Sequence, residues 1–256
     1  MPSIKDIKIG GKQFNLFIGP PGSGKSIAAA SYPSPIFFFD LDKRIDAVAP
    51  MFPGRADIEY ESYGPDDYER LWNKITQIRA GNSPFKTYVL DSLTSLARMA
   101  INYSISMRSG KGLSKGVIQM TQVDDFNGES RVLSVMMDAF RGTNFKSNFI
   151  LTAHLVETSS KKLNEDDVIQ QRLLTGGKTI AAEIPGYFNE IYLFSRRTGF
   201  DSKPKYFMST VDKGAGINTK TILPLPSELE FTMKPGEPGL FQKIQAACKL
   251  LGVDVG

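Results

Sequence analysis

The segment Gly19-Pro20-Pro21-Gly22-Ser23-Gly24-Lys25-Ser26 fits the pattern G-x-x-x-x-G-K-[ST], and its reading decides the fold. Gly19, Gly22 and Gly24 let the backbone curl until several N–H groups point at the same phosphate oxygens. A helix starting near Lys25 adds the partial positive charge of its N-terminus. Lys25 brings a full charge to the β- and γ-phosphates, and the Ser26 hydroxyl suits a magnesium ion. An apolar strand, residues 15–18, leads into the loop, and a helix rich in small residues, 25–32, follows as far as Pro33. The segment predicts binding of a nucleoside triphosphate, ATP, together with Mg2+.

Outward from this loop, short apolar strands alternate with amphipathic helices, the pattern of an α/β protein with a largely parallel sheet. Residues 36–39 read as a strand buried on both faces, 68–80 as a helix, and 87–90 as a third strand running into Asp91. Helices are expected over 93–107 and about 130–140, with a fourth strand at 148–152 ending at Ala153-His154. The glycine-rich stretch 109–116 reads as a loop, and 158–177 as a long polar loop without clear periodicity. Residues 190–194, 205–211 and 219–223 alternate well enough for strands at the C-terminal side. An amphipathic helix, about 239–251, follows them. No linker is visible, so residues 1–256 read as a single domain.

A triphosphatase needs a carboxylate on a neighbouring strand to hold magnesium through water, and Asp91, ending an apolar run, suits that role. An N-cap for the next helix is the structural alternative at Asp91-Ser92. A second acid is needed to orient the attacking water. Asp40 and Asp42 share a face by strand alternation, and Asp42 lies further out toward the nucleotide. His154, the only histidine, stands just past an apolar strand at the same end of the sheet. There it can contact the γ-phosphate and pass its state into the following loop. Gly112-Leu113-Ser114-Lys115-Gly116 fits G-x-S-x-G, but no apolar strand precedes it, so a nucleophile elbow is excluded.

Composition is ordinary for a globular protein, with 41% hydrophobic and 23% charged residues. The lone cysteine, Cys248, rules out an intrachain disulfide, and one cysteine with one histidine cannot form a Cys/His zinc site. No apolar run approaches the roughly 20 residues of a membrane span, so a cytoplasmic protein with no membrane partner is expected. The net charge of +4 is unevenly placed. Residues 101–123 hold Arg108, Lys111 and Lys115 without an acid, and 195–220 hold six basic residues against Asp201 and Asp212. A local excess of this kind suits a polyanion groove.

Over residues of about 12 to 225 the chain resembles the RecA/Rad recombinase superfamily, especially small core-only phage ATPases proposed to act in single-strand annealing. The resemblance rests on residues 19–26, on Asp91-Ser92-Leu93-Thr94-Ser95-Leu96, on Thr152-Ala153-His154 and on Leu174-Thr175-Gly176-Gly177-Lys178. It implies a RecA-like P-loop NTPase core: a mostly parallel twisted sheet with helices on both faces and antiparallel strands at its C-terminal side. It also implies a DNA-stimulated ATPase in which Asp42 activates water and His154 is the polar sensor. The implied DNA loops are about 108–116, with Arg108, Lys111 and Lys115, and 156–177, with Lys161, Lys162 and Arg172, followed by Lys178. Asp212-Lys213-Gly214 resembles a segment that reaches the neighbouring subunit's nucleotide, making Lys213 a trans-acting candidate. Expected partners are single-stranded DNA, further copies of the chain in a ring or short filament, and a single-strand-binding protein, in a phage host's cytoplasm. A helicase- or loader-like motor, using Arg141, Arg196 or Arg197 across an interface, remains open. So do a small-molecule kinase with Arg196-Arg197 in a lid, and an annealing module that barely hydrolyses ATP.

Overall fold

The computed structural model describes residues 11–80, 84–108, 121–142, 145–160, 168–199, 202–212, 218–231 and 234–255. Its centre is an eight-stranded sheet built from β1 (Phe14–Ile18), β2 (Ile36–Asp40), β3 (Ile58–Ser62), β4 (Thr87–Asp91), β5 (Asn148–Ala153), β8 (Glu190–Thr198), β9 (Pro204–Ser209) and β10 (Glu228–Phe231). The strand order is β10-β9-β8-β1-β5-β4-β2-β3. The strands from β8 to β3 pair in parallel, and β9 and β10 add antiparallel strands at one edge. β1, β2 and β5 are buried over their whole lengths, as their unbroken apolar runs require.

Alternation sends side chains to opposite faces. Phe14, Leu16, Phe37 and Phe39 meet helices α2 (Tyr68–Arg79), α3 (Leu93–Arg108), α4 (Val123–Arg141) and α5 (Lys178–Glu183). Phe17, Ile36 and Phe38 meet α1 (Lys25–Ala29) and α6 (Leu240–Lys249) on the other face. Full burial of each such ring stabilises the fold by about 1.5–3 kcal/mol. α1 has only five residues, too short to persist alone. α6 secures it: the Phe241 amide donates to Ser31 Oγ at 3.0 Å, the Gln242 side chain donates to Ser31 O, and the Tyr32 and Phe241 rings lie 4.7 Å apart.

Three expectations need correction. The stretch read as a long polar loop holds β6 (Leu155–Ser160) and β7 (Val168–Leu173), which pair as an antiparallel two-stranded ribbon. Polar residues fill these strands because the ribbon stands apart from the main sheet. Residues 219–223 form no strand; they contribute one bridge, Ile191 to Lys220, and β10 takes the edge instead. α4 starts at Val123 rather than near 130, and runs through Asn127 and Gly128. Gly128 is required there, because a Cβ would lie 2.7 Å from Ser104 Cβ on α3. β3 was not expected, since its residues Ile58-Glu59-Tyr60-Glu61-Ser62 form an edge strand with no fully buried position. Among the described residues no helix is long and apolar enough to cross a membrane.

Candidate functional site

The loop 19–26 joins the end of β1 to α1, where the carboxyl ends of the parallel strands gather. Its path is set by contacts on both sides. The Gly19 amide donates to Ala153 O at 3.2 Å, and a Cβ at Gly19 would collide with the Phe194 carbonyl. Gly24 caps α1 in the left-handed region with φ 91°, which favours glycine. Lys25 is buried and donates to Gly19 O at 2.8 Å and Pro20 O at 3.0 Å. Burial lowers its pKa to about 8, while the charges of Asp91 and Asp42 pull the other way. The Ser23 hydroxyl is buried within the loop without a hydrogen-bond partner.

Ser26 Oγ donates to Asp91 Oδ2 at 2.5 Å, and Thr152 Oγ1 donates to Asp91 Oδ1. Burial raises the Asp91 pKa, against the lowering effect of the Ser26 and Thr152 hydrogen bonds. A hard divalent cation fits this pair of oxygen donors, and its charge would oppose that effect of burial. The peptide bond after Asp91 is cis.

Asp42 sits beyond the end of β2. Both Leu41 N and Asp42 N donate to Asp91 O, at 2.8 and 3.1 Å, which draws the two acids together. Asp42 Oδ1 accepts from Ser92 Oγ at 2.9 Å and Ser95 Oγ at 2.6 Å, and Oδ2 lies 3.6 Å from His154 Nε2. Burial alone would push the Asp42 carboxyl up, but the hydrogen bonds from His154, Ser95 and Ser92 outweigh it and bring the pKa to about 2. Asp40 is a different case: it accepts from Arg44 N and Ser62 Oγ and so holds the turn after β2.

The ribbon begins where this site ends. His154 separates β5 from β6, its carbonyl accepts from Leu174 N at 2.9 Å, and its Nδ1 is buried without a partner. Beyond β7, the amides of Gly176 and Gly177 donate to Glu129 of α4 at 2.9 and 2.7 Å. Burial raises the Glu129 carboxyl, against those two amides and the nearby charge of Arg172.

The structure thus brings Lys25, Ser26, Asp42, Asp91 and His154 together. Ser92, Ser95, Thr152 and Glu129 were not singled out as working residues. Ser92 and Ser95 stand three apart where a helix begins, and that spacing places both on one face. Nothing local in the sequence marks Glu129, and Thr152 entered only as the first residue of the run that ends at His154.

The basic residues fare unevenly. Arg108 ends α3 and is ion-paired with buried Asp125 at 2.8 Å, joining α3 to the start of α4 rather than standing free in a loop. Arg172 lies half-buried in β7, with its Nε and Nη1 buried and without a hydrogen-bond partner. Lys178 is exposed at the start of α5. Lys111, Lys115, Lys161, Lys162 and Lys213 lie outside the described residues. Arg197 is paired with Glu228 at 2.5 Å and Arg196 lies over the Tyr206 ring, so both are held on β8 against β9 and β10 instead of forming a lid. Arg141 lies over Tyr187.

A triphosphate cradle on β1, with its partner carboxylate two strands along across β5, is the arrangement of a RecA-like P-loop ATPase core. A family model described as an AAA domain (AAA_24) matches residues 12–216, and the chain belongs to that family. Among solved structures it is similar to the flagellar accessory protein FlaH from Methanocaldococcus jannaschii, at 10% identity and a TM-score of 0.42, over 90% of this chain and 89% of that one. No curated protein matches.

Proposed function

We propose that the protein is an ATPase that binds single-stranded DNA and uses ATP in recombination or strand annealing, and that it is phage-encoded. The observation that carries this reading is the double engagement of His154. Its side chain faces Asp42 at 3.6 Å, and its carbonyl holds the root of a ribbon whose joining segment carries Lys161 and Lys162. A change at the nucleotide thereby has a direct mechanical route to the segment that carries Lys161 and Lys162, together with Glu165, Asp166 and Asp167.

In this reading Lys25 leaves the carbonyls of Gly19 and Pro20 and turns to the triphosphate, and the loop amides surround its phosphates. Asp42, whose pKa the His154, Ser95 and Ser92 hydrogen bonds lower to about 2, orients the attacking water as a carboxylate. Ser26 and Asp91 would hold Mg2+, the latter through water, and the ion would supply neutralising charge to the triphosphate. Lys111, Lys115, Lys161, Lys162 and Lys178 supply phosphate contacts, which give affinity without sequence preference. Further copies of the chain in a ring or short filament would bring Lys213 toward a neighbour's nucleotide. The setting is the host cytoplasm.

The test is ATP turnover by the wild-type chain with and without single-stranded DNA. Stimulation by the strand is expected, with loss of about 100-fold or more of turnover in Lys25→Ala. Turnover indifferent to DNA, together with no DNA binding at low salt, overturns the reading; unwinding of a forked duplex replaces it with a motor.

A further inference from the structure

A cavity of about 570 Å³ opens beside Asp42, and its wall includes Pro21 of the phosphate loop. That volume lies within the range of about 300–1,000 Å³ usual for ligand sites. It lies between the turns that follow β2 and β3, the first turns of α3 and the root of the ribbon. Tyr63, Met99 and Leu174 give it apolar walls.

Its charge is distinctive. Lys43, Arg44 and Arg98 all line it and are all exposed, and their side chains have no hydrogen-bond or ion-pair partner among the described residues. Elsewhere on the surface basic residues are commonly neutralised, as in Arg55 with Asp57, Arg70 with Asp67, Lys74 with Glu61 and Arg197 with Glu228. The one carboxylate lining the cavity, Asp42, is already engaged by Ser92, Ser95 and His154. Three lining residues, Tyr63, Thr94 and His154, each keep a buried polar atom without a hydrogen-bond partner. Such atoms are uncommon in folded proteins, and a polar occupant nearby accounts for them.

We propose that this cavity is a second phosphate site, holding one nucleotide unit of the bound single strand. The phosphodiester lies against Lys43, Arg44 and Arg98, with sugar and base against Pro65 and Leu174. The inference rests on the single-strand reading above. α3 is the reason for choosing a strand over a free nucleotide. Arg98 stands ten residues before Arg108, about 15 Å along the helix, and the segment with Lys111 and Lys115 follows directly. A strand lying along α3 from Arg98 toward its end covers that distance with a few nucleotides. Because Asp42 and His154 line the cavity, the strand then abuts the residues that handle the γ-phosphate.

The experiment measures binding of a labelled oligothymidylate to the full chain, saturated with a non-hydrolysable ATP analogue, over a series of salt concentrations. Reversing both charges in K43E/R98E is expected to lower affinity at least tenfold. It should also flatten the slope of log K against log salt by about 1.4, at ~0.7 per single-strand phosphate contact. Wild-type affinity and slope in the variant overturn the cavity while leaving the single-strand reading in place. Absence of strand binding by the wild-type protein overturns that reading and this one with it. A second measurement needs no variant: a strand carrying 4-thiothymidine is photocrosslinked to wild-type protein and the adducts are mapped. Adducts on the peptides holding Pro65 or Leu174 support the cavity, and adducts confined to 109–120 and 161–167 overturn it.

Discussion

β5 and β6 are consecutive strands parted by one residue, and they are built on opposite terms. β5 is buried along all six residues and is hydrogen-bonded on both sides, to β1 and β4. β6 pairs only with β7 in a ribbon of the kind that is marginal by itself. The ribbon is secured at its root, by His154 to Leu174 and by Glu129 to the two glycine amides. The contrast shows how one chain divides its work. Groups gathered at the phosphate loop stand at the ends of buried strands, and the ribbon leaves the sheet while staying tied to it at its root.

The sharpest way to break this comparison is to change the acid on the rigid side. Asp42→Asn keeps the volume and removes the charge, so steady-state hydrolysis should fall by about 10²–10⁴-fold with nucleotide affinity largely kept. An unchanged turnover number would move the water-orienting role to another residue. On the ribbon side, Glu129→Gln turns one acceptor into a donor facing a glycine amide. A loss of about 1–3 kcal/mol in denaturant unfolding is expected. Amide exchange should quicken at 174–177 while β5 keeps its protection; equal loosening of both would show that root and sheet open as one unit.

The smallest effect is a protonic one at Lys25. Its folded pKa of about 8 lies below the unfolded value near 10.4. Between those values the folded chain carries fewer protons than the unfolded one, so nucleotide-free stability should rise with pH across that window. Triphosphate binding restores the charge. Above about pH 8 binding should therefore take up a fraction of a proton and weaken as pH rises. Calorimetry in buffers of different ionisation enthalpy measures the uptake directly, and zero uptake near pH 9 would mean that the amine never loses its proton.

Much of this was legible from residue order. The phosphate loop, the buried strands and Asp91 declare themselves because glycine geometry and continuous apolar runs are local signals. The closeness of Asp42 to His154 was not legible, since it depends on strand order: β5 beside β4, and β4 beside β2. The ribbon escaped notice because strands without a core to cover need no alternation. β3 and the first turns of α4 were missed for related reasons, an edge position in one case and a glycine demanded by helix contact in the other. Glu129 lies 47 residues from Gly176, a separation that no local pattern bridges.

The dependence of α1 on α6 sets a schedule for synthesis. The helix that follows the phosphate loop contains residues 25–29, yet the contacts that secure it come from residues 239–248. While the ribosome is still adding the strands of the sheet, that short helix lacks the cover that α6 gives its outer side. Contacts so distant in sequence form late. The triphosphate motif thus leaves the ribosome about 200 residues ahead of the helix that braces it.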